Sequence, residues 1–103
     1  MLNNIVKELK RGLQHTYDEQ LKGLYLYGSY ARKDADVESD VDILIILDKI
    51  ENYGDEIAKT SKLVSELSLK YDKTISRVFV SRQDWNEKET PFLLNARKEA
   101  TAA

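Results

Sequence analysis

The sequence predicts an α/β (α+β) domain in which a small mixed sheet is flanked by helices, and three observations carry that prediction. Three short runs rich in aliphatic and β-branched residues, 21–27, 40–47 and 74–81, have the length and composition of strands. Segments 2–17 and 51–71 instead repeat apolar residues at helical spacing. A strand, a long helix and a further strand in succession describe a crossover packed on one sheet. At 103 residues the chain suits a single domain spanning 1–103, with a modest core and little room for a separate substrate-binding module.

The first helix places Leu2, Ile5, Val6, Leu9, Leu13 and Tyr17 on one stripe, with Lys7, Glu8, Lys10 and Arg11 on the other face and Asn3 or Asn4 as its cap. His15, the sole histidine, reads as a surface residue near the helix end, so neither a histidine metal site nor a Ser-His-Asp triad is available. The strand 21–27 alternates Leu24 and Leu26 with Tyr25 and Tyr27, which read as packing residues beside whatever follows. In the polar loop 33–39, Asp34, Asp36 and Glu38 read as solvated acids, and Ser39 as support for the turn into the next strand. The helix 51–71 carries Ile57, Thr60, Leu63, Val64, Leu67 and Tyr71 inward, and Gly54-Asp55-Glu56 gives it an acidic start that suits the helix dipole. Ile75, Val78, Phe79 and Val80 supply core from the third strand. Ser81-Arg82-Gln83-Asp84 opens a helix bearing Trp85, and Thr90 and Pro91 form the cap and first turn of a last one with Phe92, Leu93, Leu94 and Ala96 on its apolar side. Trp85 and Phe92 read as packing residues, with a partner-binding patch as the competing reading. The final stretch 100–103 reads as frayed.

Composition narrows the function classes. Lys and Arg total 16 against 18 Asp and Glu, a net charge of −2, so no global basic field recruits nucleic acid. Cysteine is absent, which removes disulfide and thiolate chemistry. No apolar run reaches membrane-spanning length and the N-terminus lacks a signal-peptide pattern, so the expected location is cytoplasmic.

The densest chemistry lies in 27–47. Side chains alternate along a strand, so Asp40 and Asp42 point the same way, roughly 7 Å apart. Two carboxylates at the mouth of a buried strand either share a proton or hold a cation. Magnesium is a fitting cation, since it takes carboxylate oxygens and keeps substrate phosphates as further ligands. Upstream, Gly28 lets backbone approach a ligand closely. Ser29 can cap a short helix whose free amides favour phosphate, with Arg32 and Lys33 adding positive charge. Asp48 shares the parity of Asp42 but lies roughly 20 Å along the strand, too far for the same centre. A Gly-Ser turn alone is most often a turn, and Asp-x-Asp alone is often a solvated loop end. The two in this order between strands are far more specific.

Gly28-Ser29, ten residues, then Asp40-x-Asp42 resembles the signature of the nucleotidyltransferase superfamily that includes DNA polymerase β. The short length resembles the minimal nucleotidyltransferases of prokaryotes, the MNT or MntA type, and 85–99 also resembles the tail of that group. The resemblance implies a minimal polymerase-β-like nucleotidyltransferase fold. It further implies AMP transfer from ATP to a hydroxyl, often a tyrosine, of a small helical HEPN (HepT-type) RNase toxin that the chain neutralises as antitoxin, in a hetero-oligomer. Asp40 and Asp42 then hold Mg2+, Gly28 and Ser29 bind the β and γ phosphates, and Arg32 or Lys33 offsets charge there. The family's third carboxylate usually sits on the third strand, which here carries Thr74, Ser76 and Arg77. Asp72, in a Tyr71-Asp72-Lys73 turn, is the nearest candidate, and capping or solvating that turn is its alternative role. This departure bears on catalysis and not on the fold. The rival function is an antitoxin with a weakened site that acts by binding alone.

Overall fold

The computed structural model describes residues 2–33, 35–36 and 39–103. Its centre is β2, Val41–Leu47, the most apolar run in the chain. All of its residues are buried except Asp42, which is partly exposed. Such a strand needs cover on both faces and neighbours on both edges. On one edge it pairs antiparallel with β1, Leu21–Tyr27, and on the other parallel with β3, Ile75–Ser81. A fourth strand, β4 over Thr101–Ala102, pairs antiparallel with β1, giving the sheet order β3-β2-β1-β4. The mixed sheet flanked by helices is the predicted class.

One face is covered by α1, Leu2–Tyr17, and α3, Tyr53–Tyr71. The α1 stripe predicted from spacing buries Ile5, Leu9, Leu13 and Tyr17 against Val41, Ile43, Ile45, Leu47, Ile75 and Phe79 of the sheet, together with Val64 and Leu67 of α3. As the crossover between β2 and β3, α3 is the link that makes those two strands parallel. Arg77 of β3 reaches into it, donating from Nε to Thr60 Oγ1 at 2.7 Å and from Nη2 to the Ile57 carbonyl at 2.9 Å. The opposite face is covered by α4, Arg82–Glu87, and α5, Pro91–Glu99. There Leu44, Ile46 and Val80 bury with Leu93 and Ala96, and Trp85 stacks on Tyr25 with ring centres 5.2 Å apart. The predicted start of α5 is observed: Pro91 opens it and the Thr90 side chain accepts from the Leu93 amide.

Two expectations are corrected, and one residue does more than expected. Asn3 and Asn4 lie inside α1, which already runs from Leu2, so neither is its cap. Glu56 lies in the acidic first turn of α3, as expected, and also bonds to α1. Its side chain is buried, and the Tyr17 hydroxyl donates to Oε1 at 2.9 Å. Burial, then the nearby carboxylate, push the Tyr17 hydroxyl well above the ordinary tyrosine range. The stretch 100–103 is ordered rather than frayed: Leu26 faces Thr101, Tyr25 faces Ala102, and the Ala103 amide donates to the Leu24 carbonyl at 2.9 Å.

Tyr17→Phe keeps the ring but removes the donor to buried Glu56. It is expected to lower unfolding free energy by about 1–3 kcal/mol, read as a shift of the denaturant midpoint at unchanged slope.

Candidate active site

The site is built where β1 ends and β2 begins. Tyr27, Asp42 and Ser76 sit abreast on β1, β2 and β3. After Tyr27 the chain turns at Gly28 into α2, a single helical turn over Ser29–Arg32. Gly28 has φ 71° and ψ −147°, a conformation open to glycine and strained for other residues. The turn also lies directly against the acid, since a Cβ at position 28 would stand 2.6 Å from Asp42 Oδ2. The Gly28 carbonyl accepts from the Arg32 amide at 3.0 Å, closing the turn. The structure therefore brings the predicted Gly-Ser turn and the predicted Asp-x-Asp strand into contact.

Asp40 is exposed and precedes β2, whose ladder begins with the Val41 amide donating to the Thr74 carbonyl at 2.9 Å. Burial raises the Asp42 carboxyl above its ordinary value, the charge of Asp40 raises it further, and the Arg32 guanidinium offsets part of this. An ionised pair in this position is under electrostatic stress that a bound cation relieves. Among the described residues no cluster of three or more His, Cys, Asp or Glu side chains is placed to hold a metal. The carboxylate pair fits magnesium all the same, because that ion takes one or two carboxylates and completes its shell with water and substrate phosphate.

The remaining predicted residues fall as follows. Ser29 is the first residue of α2 and not its cap. Gly28 takes the cap position, with no side-chain cap bond, because its positive φ makes the turn on its own. Arg32 is exposed and pairs with Glu99 at 3.5 Å, and exposed Lys33 ends α2 in a left-handed conformation. Ser39 supports the turn into β2 as expected, its Oγ accepting from the Asp36 amide at 3.0 Å. Asp36 is exposed, whereas Asp34 and Glu38 lie outside the described residues. Asp48, past the far end of β2, pairs with Arg82 at 2.7 Å. Tyr27 packs edge-to-face on Phe92, ring centres 5.9 Å apart, and burial together with the charge of Asp42 raises its hydroxyl above the usual range.

Asp72 is exposed in a left-handed turn, φ 51° and ψ 50°, that closes α3. Strand alternation does not extend back to it, because the chain is not extended there. Carrying the β2–β3 register back one step sets Thr74 abreast of Asp40, with Asp72 two residues further out at the same end of the sheet. Two residues near the site were not singled out from sequence. Lys73 is buried, with its ammonium 5.7 Å from the centre of the Tyr30 ring, and Glu99 meets Arg32. Neither has a local sequence signal, since both contacts join segments far apart in the chain.

Solved structures with this fold include a candidate nucleotidyltransferase of Sulfolobus solfataricus, 19% identical, TM-score 0.63, covering 96% of this chain and 78% of that one. They also include a toxin–antitoxin complex with AMP-PNP, 17% identical, TM-score 0.68, covering 93% and 69%. A third is the complex of a tri-AMPylated Shewanella oneidensis HEPN toxin with its MNT antitoxin, 16% identical, TM-score 0.60, covering 99% and 71%. The chain belongs to the nucleotidyltransferase domain family, whose model matches residues 3–99. Among its relatives are two Methanocaldococcus jannaschii proteins named as candidate protein adenylyltransferases. MJ0141 is 38% identical over 76% of this chain and 78% of its own length, and MJ0604 is 36% identical over 81% and 77%.

Two outcomes follow from this geometry. Gly28→Ala forces both an unfavourable φ and a clash with Asp42, so it is expected to cost about 1–3 kcal/mol of stability, measured by denaturant unfolding. Asp42→Asn removes a carboxyl whose value is raised on folding. Such a group favours the fold below its unfolded value and opposes it once ionised. The variant is therefore expected to melt higher than the parent at pH 7, with the gain fading as pH falls below the ordinary aspartate range, as read by thermal melts in a pH series.

Proposed function

We propose that the chain is an antitoxin that transfers AMP from ATP to a hydroxyl, a tyrosine by preference, of a HEPN-domain (HepT-type) RNase toxin. The observation that carries this reading is the Asp42 carboxylate set against the Gly28 turn, with Asp40 beside it. The adenylyltransferase names of the relatives and the AMP-PNP and AMPylated-toxin complexes among the fold neighbours support it.

In this reading Asp40 and Asp42 hold Mg2+, which screens the triphosphate and lowers the pKa of the acceptor hydroxyl. Gly28, lacking a side chain, lets the β and γ phosphates approach the backbone, and Ser29 donates to them from its amide and hydroxyl. Arg32 and Lys33 supply countercharge. The acceptor oxygen bonds to the α-phosphorus as the bridging oxygen departs with pyrophosphate. The acceptor proton passes to solvent or to Asp72, the carboxylate we assign to the β3 side of the site. Because the acceptor comes from a separate protein, the domain needs no substrate module of its own. We place this chemistry in the cytoplasm, where ATP is supplied; no helix among the described residues is long and apolar enough to cross a membrane.

A second reading, neutralisation by binding alone, is favoured by one observation: β3 offers Ser76 where a facing acid would stand beside Asp42. Incubating a purified HEPN partner with the chain, ATP and Mg2+, then weighing the partner by mass spectrometry, separates the two. Whole AMP units are expected with the parent and none with Asp42→Asn, while both chains still co-purify with the toxin. Asp72→Asn is expected to slow addition without abolishing it. An unmodified partner, or full neutralisation by Asp42→Asn, overturns the enzymatic reading.

A further inference from the structure

The helix α2 is one turn long, too short to hold its shape unaided. It nevertheless carries Ser29 and continues directly from Gly28, so any ligand bound at that turn depends on what fixes α2 from outside. A lysine does so from the far side of β2. Lys73 follows the left-handed Asp72 at the end of α3, its amide donates to the Ser68 carbonyl at 3.1 Å, and the next carbonyl, that of Thr74, is bound by the Val41 amide at 2.9 Å. This backbone arrangement turns Lys73 inward. The residue is only 8% exposed, and its ammonium lies 5.7 Å from the centre of the Tyr30 ring, within cation–π range. Lysine is among the residues least often buried, because taking an ammonium out of water is costly. Among the described residues α2 is also held by Tyr30, which packs against the core under α1 and α3, and by Arg32, which pairs with Glu99 through side chains 46% and 42% exposed, a weak tie. Lys73 adds a buried cation to these contacts.

We infer that Lys73 is a positioning residue for the polyphosphate end of the nucleotide: through Tyr30 it fixes α2 and brings positive charge to the element that presents Ser29. The inference rests on the nucleotide-binding reading above. It goes beyond that reading in assigning to a buried side chain of the α3–β3 turn a role confined to the β and γ phosphates. A nucleoside monophosphate, which lacks them, is indifferent to Lys73.

The test uses the full chain and calorimetric titration with AMP-PNP or AMP in the presence of Mg2+, neither of which needs an acceptor. Lys73→Met is expected to weaken AMP-PNP binding about fivefold while AMP affinity stays within about twofold. Lys73→Arg, which keeps the cation, is expected to restore most of the loss. Tyr30→Phe, which keeps the ring face, binds like the parent, and Tyr30→Leu behaves like Lys73→Met; this pair decides the matter if Lys73→Met does not fold. Unchanged AMP-PNP affinity in Lys73→Met and Tyr30→Leu, an equal loss for AMP, or no recovery with Lys73→Arg overturns the inference. A parent chain that binds neither ligand instead overturns the nucleotide reading on which it stands.

Discussion

The close approach of the Gly28 turn to the Asp42 carboxylate, with no room between them for a side chain, is the constraint on which the rest of the molecule depends. It requires β1 to end one residue before the turn and β2 to present its one incompletely buried residue on the same rung. It also requires the connecting segment to bring the chain back antiparallel. The helices are disposed accordingly. α4 and α5 cover Leu44, Ile46 and Val80 further along the sheet, and α1 and α3 take the other face whole. What stays open is the end of the sheet where Asp40 and Asp42 stand, bordered by Tyr27 and Phe92. A side chain at position 28 would close that end, so the glycine serves as access and as hinge together.

A protein that offers two carboxylates and no third described ligand holds a hard cation weakly by itself. In the proposed reading the triphosphate completes the coordination, and the affinities for cation and nucleotide are then bound to one another by linkage. In the same reading the raised carboxyl of Asp42 is a stability cost of the site, since two like charges are useful there only when something positive arrives.

The sheet and main helices were legible because burial leaves a period in the sequence. The α1 stripe from Ile5 to Tyr17 and the unbroken run of β2 could hardly be read otherwise, and Thr90-Pro91 announced the start of α5. The nearness of Asp40 to Asp42 was legible because the two flank the first residue of an unmistakable strand, and the charge of Asp40 does act on Asp42. Several features stayed hidden because they depend on partners distant in the chain. An acid in the first turn of a helix looks the same whether solvated or, like Glu56, bonded to Tyr17 of another helix. The ordered tail depends on a free edge of β1, and the Lys73–Tyr30 contact joins the α3–β3 turn to α2. The conformation of Asp72 was hidden for a local reason: nothing in Tyr71-Asp72-Lys73 shows that the aspartate, and not a glycine, adopts the left-handed cap.

β3 is one of the two edge strands of the sheet, and on its outer side the Phe79 amide donates to the hydroxyl of Tyr53, 3.2 Å away, whose ring also meets Phe79 edge-on. Exposed strand edges recruit strands from other molecules. A foreign strand aligning with β3 has to dislodge an aromatic side chain from the middle of its own docking line, so the first turn of α3 acts as a stopper against sheet-to-sheet polymerisation.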